Sequence, residues 1–188
     1  ALLRIEPAGT VDAELAEIIN TRHENATYLP GVELDPRLKA TGDLATAVKG
    51  ASIVLLATPA QFARTMLVSL HKHLHPSVPI ISCAKGIEAG TGMLLSEVSS
   101  QIMPGRAFGV LSGPTFAVEV VRALPSAATI AGPDDKTAQK WSDILHTPTF
   151  RPYPSSDRAG AEIGGSIKNV VAIACGIVEG RKLGQNAR

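Results

Sequence analysis

Two lysines stand where their neighbours permit chemistry. Lys85 sits in Ser82-Cys83-Ala84-Lys85-Gly86-Ile87-Glu88, directly after a short apolar run. Lys168 sits beside Asn169 near the start of an otherwise apolar stretch, residues 167–178. An ammonium at the end of a buried strand can hold a phosphate or polarise a carbonyl. The plainer reading of Lys85 is a solvated loop residue. A lysine in an apolar helix is costly if it is buried without a role. Burial and the positive helix terminus both disfavour the charged form, which readies such a lysine to act as a general acid/base. The plainer reading of Lys168 is a side chain that snorkels at a domain edge.

Two further segments place small or special residues at strand ends. Thr58-Pro59-Ala60-Gln61-Phe62 follows the apolar run Ile53-Val54-Leu55-Leu56-Ala57-Thr58. In open α/β sheets ligands sit outside the carboxyl ends of strands, although a plain strand-to-helix turn reads the same way. Ser112-Gly113-Pro114-Thr115-Phe116-Ala117-Val118-Glu119 combines a glycine, which lets backbone approach a ligand, with the N–H groups of a following helix start. A capped helix start is the plainer account. Three such segments at successive strand ends make a stronger case than any one of them.

The elements that would position these residues alternate. Residues 53–58 read as a central parallel strand buried on both faces, bounded by Gly50 and Pro59. A helix is expected over 61–74, a strand over 78–83 and a helix over 92–102. A strand over 108–112 and a helix near 116–122 follow, with Pro114 at the helix head. Residues 126–131 give a strand, 133–146 a helix favoured by Asp134 and Asp135 at its start, and 150–153 a fifth strand. The alternation predicts a doubly wound, Rossmann-like α/β sheet. From Asp157 the texture changes. Gly160, Gly164 and Gly165 precede the apolar stretch, whose all-round hydrophobicity calls for helical partners. The chain therefore divides into an α/β unit, 1–160, and the first part of a helical unit, 161–188.

In this order, the segments resemble the bacterial-type NAD(P)-dependent glycerol-3-phosphate dehydrogenases. The likeness is carried by Asn25-Ala26-Thr27-Tyr28-Leu29-Pro30-Gly31, Thr58-Pro59 with Phe62, Ala84-Lys85-Gly86-Ile87-Glu88, Leu111-Ser112-Gly113-Pro114-Thr115-Phe116-Ala117 with Glu119, Phe150-Arg151-Pro152-Tyr153, Glu162-Ile163-Gly164-Gly165, Lys168-Asn169 and Asn186-Ala187-Arg188. The resemblance implies hydride transfer between NAD or NADP and the pair dihydroxyacetone phosphate and sn-glycerol 3-phosphate, which supplies glycerophospholipid synthesis. It implies Lys168 as the catalytic acid/base and Asn169 as a neighbouring polar residue of the substrate site. Lys85 matches the lysine at the junction of cofactor and substrate. Gly113 and Thr115 match substrate contacts. Tyr28, Pro59, Phe62 and Ala117 match the walls of the dinucleotide cleft. It also implies a cytoplasmic homodimer formed largely by the helical unit.

The departures from the family pattern are specific. No G-x-G-x-x-G precedes these segments, and Ala8-Gly9-Thr10 does not replace it. The basic residues that read a 2′-phosphate after the second strand are missing. In the family, further helices with an aspartate and an Arg-Asn pair follow the lysine helix and grip the substrate phosphate. Together with the missing initiating Met, this reads as a chain shortened at both ends, with 2–13 not aligning.

Composition narrows the field further. The 188 residues are 45% hydrophobic, and 18 Lys and Arg balance 17 Asp and Glu, for a net charge of +1. That charge gives no general attraction to nucleic acid or an anionic membrane surface. No uninterrupted run of about 18 apolar residues is present, so no membrane span is expected. The N-terminus lacks signal-peptide regions. Cys83 and Cys175 fit no metal spacing and read as buried, reduced thiols of a cytosolic protein, with one disulfide as the alternative. Two other readings stand beside the dehydrogenase. One is a reductase of the same two-domain class acting on another small anion, such as the ketopantoate or 6-phosphogluconate enzymes. The other is a non-catalytic interaction module whose apolar last helix is adhesive.

Overall fold

The computed structural model describes residues 13–184. Within them, Phe108, Ile80 and Ile81 are almost wholly excluded from solvent, and all three belong to one five-stranded sheet. Its strands are β3 (Val54–Leu56), β4 (Ile80–Ser82), β5 (Phe108–Ser112), β6 (Ser126–Ala131) and β7 (Phe150–Ser155), side by side in that order. Preceding them are α1 (Ala13–Arg22), a short antiparallel pair β1 (Glu24–Asn25) and β2 (Leu29–Glu33), and α2 (Leu44–Val48). The helices α3 (Ala60–His71), α4 (Leu95–Ile102), α5 (Ala117–Val121) and α6 (Asp135–Leu145) lie between successive strands of the sheet, and α7 (Arg158–Gly180) follows it.

Strands β3, β4 and β5 are parallel, β6 runs antiparallel to β5, and β7 is parallel to β6. Crossovers between parallel strands are right-handed. Steps in one lateral direction therefore put α3 and α4 on one face, and the reversal at β6 puts α6 on the other. The two cores match this. Leu67 and Leu70 of α3 and Val98 of α4 pack with Leu56, Ile80, Phe108 and Val110. Trp141 of α6 packs with Ile81 and Ile130 on the opposite face. Neighbouring residues Ile80 and Ile81 thus serve different layers, as strand alternation requires.

Local chemistry explains the helices. In α3 the buried residues Ala60, Ala63, Met66, Leu67 and Leu70 repeat at helical spacing. Asp43 and Asp134 accept from Thr46 N and Thr137 N, both at 2.8 Å, and so cap α2 and α6. Asn20 of α1 pairs with Ala40 through both its amide atoms at 2.8 Å, tying the small N-terminal cluster of Leu15, Ala16 and Ile19 to the following loop.

Several expectations need correction. Strand β3 is not central among the described residues: it has β4 on one side only, and Leu55 is 47% exposed. Apolar content alone does not distinguish an edge strand from an inner one. Pro114 lies ahead of α5, which starts at Ala117 behind the N-cap Phe116. Gly160, Gly164 and Gly165 lie inside α7, which runs unbroken from Arg158 behind its N-cap Asp157. At Gly165 the reason is contact: a Cβ there would stand 2.7 Å from Ser112 Oγ of β5. Packing has overridden the intrinsic helix cost of glycine.

Because α7 is continuous for 23 residues, its length and mean hydropathy alone would suffice to cross a membrane, although its apolar run is interrupted. Its first turns are instead engaged with β5 and α4, through Gly165 and Glu162. Cys83 and Cys175 are free and half-buried rather than fully buried, and burial pushes the Cys83 thiol up to about 11. The motif Asn186-Ala187-Arg188, Ala8-Gly9-Thr10 and all but the last residue of the unaligned segment 2–13 fall outside the described residues.

Candidate active site

The carboxyl ends of β3, β4 and β5 bring three of the predicted segments together, and α7 crosses β5 beside them. Lys85 follows β4, and its Nζ donates to the Gly113 carbonyl at 3.0 Å, joining the loops after β4 and β5. Lys168 reaches the same place from α7. Gly165 seats α7 close to β5, where a Cβ would lie 3.8 Å from Lys85 Cγ. Lys168 is three residues further along, one turn up the same side of the helix. The Lys168 charge comes close enough to Lys85 to act on its titration. The Lys85 pKa is lowered, first by burial, then by the charge and hydrogen-bonding reach of Lys168, with Cys83 opposing. Lys168 itself is exposed, which corrects the expectation of burial. Beyond Gly165, α7 rises clear of the sheet, and Val170, Val171, Ile173 and Ile177 are each more than half exposed. Asn169 is also exposed.

The loop that carries Lys85 is clamped by α3. Gln61 Nε2 donates to Ile87 O at 2.9 Å, and its Oε1 accepts from Ala89 N at 2.8 Å. Arg64 pairs with both Glu88 oxygens at 2.7 and 2.8 Å, and Thr91 Oγ1 adds a 2.6 Å bond to the same carboxylate. Arg64 and Thr91 hold the Glu88 carboxyl down at about 2. Sequence reading missed Gln61, Arg64 and Glu88 as positioning residues, because the partners lie 24 to 28 positions apart. It also passed over Glu162, whose signal was a lone carboxylate at the start of an apolar helix.

Gly113 serves packing more than ligand access. A Cβ there would meet Ala128 Cα at 2.8 Å and Ala127 O at 3.0 Å, so glycine is needed for β5 to approach β6. Thr115 N donates to Gly113 O at 2.9 Å, which makes a tight turn and leaves Thr115 half-buried beside the Lys85 contact. Phe116 and Ala117 are exposed at the head of α5, and α5 packs against β2. Tyr28, at the β1–β2 turn, is 45% exposed, and its backbone N–H is held by Asn25. Phe62 is 36% exposed in the first turn of α3, behind the N-cap Pro59.

A cavity of about 410 Å³ runs along the edge of β3 that no other described strand pairs, between α2 and α3. It is lined by Leu44, Val48, Ile53, Leu56, Thr58 and Met66 among others, and by none of Lys85, Gly113, Thr115 or Lys168. The lysine site lies outside this cavity, with Lys168 exposed on α7. Thr58 connects the two regions in sequence: it ends the β3 segment, and its buried hydroxyl has no hydrogen-bond partner. The first turn of α3 has no side-chain cap either. Unpartnered donors at a strand's carboxyl end, with exposed aromatic rings on α3 and the β1–β2 turn, fit a phosphate-bearing dinucleotide.

The fold and these loops define a Rossmann-type α/β unit followed by one long helix. The model of the NAD-dependent glycerol-3-phosphate dehydrogenase N-terminus matches residues 9–138, and that of the C-terminus matches residues 157–188. The chain belongs to this family. A Rhodospirillum rubrum protein named glycerol-3-phosphate dehydrogenase (NAD(P)+) is 50% identical over 177 residues, covering 94% of this chain and 51% of that protein. The crystal structure of the Coxiella burnetii glycerol-3-phosphate dehydrogenase superposes with a TM-score of 0.82 at 30% identity, covering 93% of this chain and 54% of that one. The glycerol-3-phosphate dehydrogenase of Saccharomyces cerevisiae gives 0.81 at 38% identity, covering 92% and 52%. The chain spans about half the length of these relatives.

Proposed function

We propose that the whole protein interconverts dihydroxyacetone phosphate and sn-glycerol 3-phosphate with NAD or NADP, and that this chain carries the cofactor unit and the proton-transfer lysine. The observation that supports this best is the meeting of Lys168 and Lys85 beside the Gly113 carbonyl. Pro59, Phe62, Tyr28, Ala117 and the Thr58 hydroxyl are suited to holding the dinucleotide. When bound, its nicotinamide supplies the hydride, the part of the chemistry no side chain provides.

The residues of the chain do the rest. Lys168 donates a proton to the substrate's carbonyl oxygen as that oxygen gains charge, and takes it back in the reverse direction. Lys85, tied to Gly113, fixes a second positive charge near the same oxygen and the substrate phosphate, where Thr115 and Asn169 add hydrogen bonds. After burial, the neighbouring charge of Lys168 disfavours the Lys85 ammonium. An anionic substrate relieves that repulsion, which aids its binding. The division into units at 160 and 161, a homodimer joined through the exposed apolar face of α7, and a cytoplasmic location belong to the same proposal.

The test is turnover by the full-length polypeptide. Dihydroxyacetone-phosphate-dependent oxidation of NADH or NADPH is expected. Turnover with ketopantoate alone, or with no small anion, overturns the assignment.

A further inference from the structure

Glu162 is only 6% exposed, and both of its carboxylate oxygens are committed to one residue of another helix. Oε1 accepts from Ser96 N at 3.0 Å and Oε2 from Ser96 Oγ at 2.5 Å. Ser96 lies in the first turn of α4, whose N-cap is Leu94, a side chain with no acceptor. The turn's own carboxylate, Glu97, accepts from Leu94 N at 2.8 Å and leaves the Ser96 N–H to be met from elsewhere. Glu162 is thus a helix cap supplied from α7, with its charge at the favourable end of the α4 dipole.

The spacing on α7 gives this cap a second consequence. Glu162, Gly165 and Lys168 succeed one another at intervals of three, so each neighbours the next along a stripe that winds across about a third of the helix surface. Glu162 fixes that stripe to α4. One turn on, Gly165 brings the helix against Ser112 of β5. Lys168 follows after one more turn, about 9 Å along the axis from Glu162. We propose that Glu162 is a positioning residue: its carboxylate, bound to Ser96 at the head of α4, sets the rotation of α7 so that Lys168 meets Lys85 beside the Gly113 carbonyl. The importance of this for turnover rests on the proton-transfer role proposed for Lys168, but the geometry can be tested without turnover.

The test follows the Lys85 ammonium by NMR in 15N-lysine-labelled protein across an alkaline titration. The charged groups facing Lys85 are Lys168 from α7 and the Cys83 thiol from its own loop. In Glu162→Ala, α7 is free to turn. The Lys85 midpoint is expected to move upward toward the ordinary lysine value as the burial and repulsion around it are relieved. Ser96→Ala removes only the hydroxyl donor and is expected to move it less, in the same direction. Glu97→Ala destabilises α4 through its own cap and is expected to leave the midpoint in place. The proposal is overturned if folded Glu162→Ala keeps the wild-type midpoint, or if Glu97→Ala shifts it equally. Should Glu162→Ala not fold, an unmoved midpoint in Ser96→Ala overturns it instead. A failed catalytic role for Lys168 would appear only in turnover, so the two failures are distinct.

Discussion

Arg64 and Glu88 form a two-point ion pair, at 2.7 and 2.8 Å, that fastens the loop bearing Lys85 to α3. The Glu88 side chain is 12% exposed and that of Arg64 36%. The folded pKa of Glu88 falls from 4.5 to about 2, chiefly through Arg64. A depressed carboxylate contributes stability that is fully present above the unfolded value and lost as pH falls through the folded one. Glu88→Gln should therefore lower the urea midpoint at neutral pH. The difference from wild type should shrink between pH 4.5 and about 2. An undiminished difference at the acid end would show that the pair is not its source.

The Lys85 and Lys168 pair acts at the alkaline end, where loss of a proton relieves a repulsion instead of restoring an attraction. Lys85 has a folded pKa below its ordinary 10.5, first through burial and then through Lys168. Between these two values the unfolded chain binds more protons, so stability rises with pH across that window. Lys168→Met removes the like charge and should raise the melting temperature at neutral pH by about 1–2 °C. The gain should fade as pH approaches 10.5. Stabilisation by loss of a functional charge is the usual sign of a site that trades stability for activity.

Gly113→Ala should cost about 1–3 kcal/mol, the scale of overpacking. The new Cβ meets backbone atoms, Ala128 Cα and Ala127 O, which cannot rotate aside. A lower urea midpoint with an unchanged denaturant slope would confirm this. A neutral substitution would mean that β5 and β6 are free to separate locally.

Arg106 donates from one guanidinium nitrogen to His75 O and Val78 O, at 2.8 and 2.6 Å, and from another to Leu74 O at 3.2 Å. This fork closes the loop between α3 and β4. Arg106→Lys should destabilise by about 1–3 kcal/mol, because a single ammonium cannot span three carbonyls and leaves acceptors unmet. Equal stability of the two proteins in urea denaturation would contradict the assignment.

The sequence was most informative where strands are buried on both sides. The runs at Phe108–Ser112 and Ser126–Ala131 match β5 and β6 end to end, since buried strands are apolar and their neighbours are not. Strand direction leaves no such trace, so the reversal at β6 was not legible. The β1–β2 pair was missed because Glu24 and Asn25 give no apolar alternation. The glycines read as preceding the last helix lie within it, and at Gly165 the close approach of Ser112 favours the absence of a side chain. Lys85, Gly113 and Lys168 were legible as candidates from residue type and place, and Thr115 through the family resemblance. The clamp by Gln61 and Arg64 and the cap by Glu162 were not, because each joins residues that only the fold brings together.

The central claim is that Lys168 transfers the proton at the site it shares with Lys85. Its most direct test compares dihydroxyacetone-phosphate-dependent NADH or NADPH oxidation by the full-length protein and by its Lys168→Ala variant. A fall in kcat of at least about 10²-fold is predicted, the scale for loss of a general acid/base. An unchanged kcat in a folded variant would contradict it.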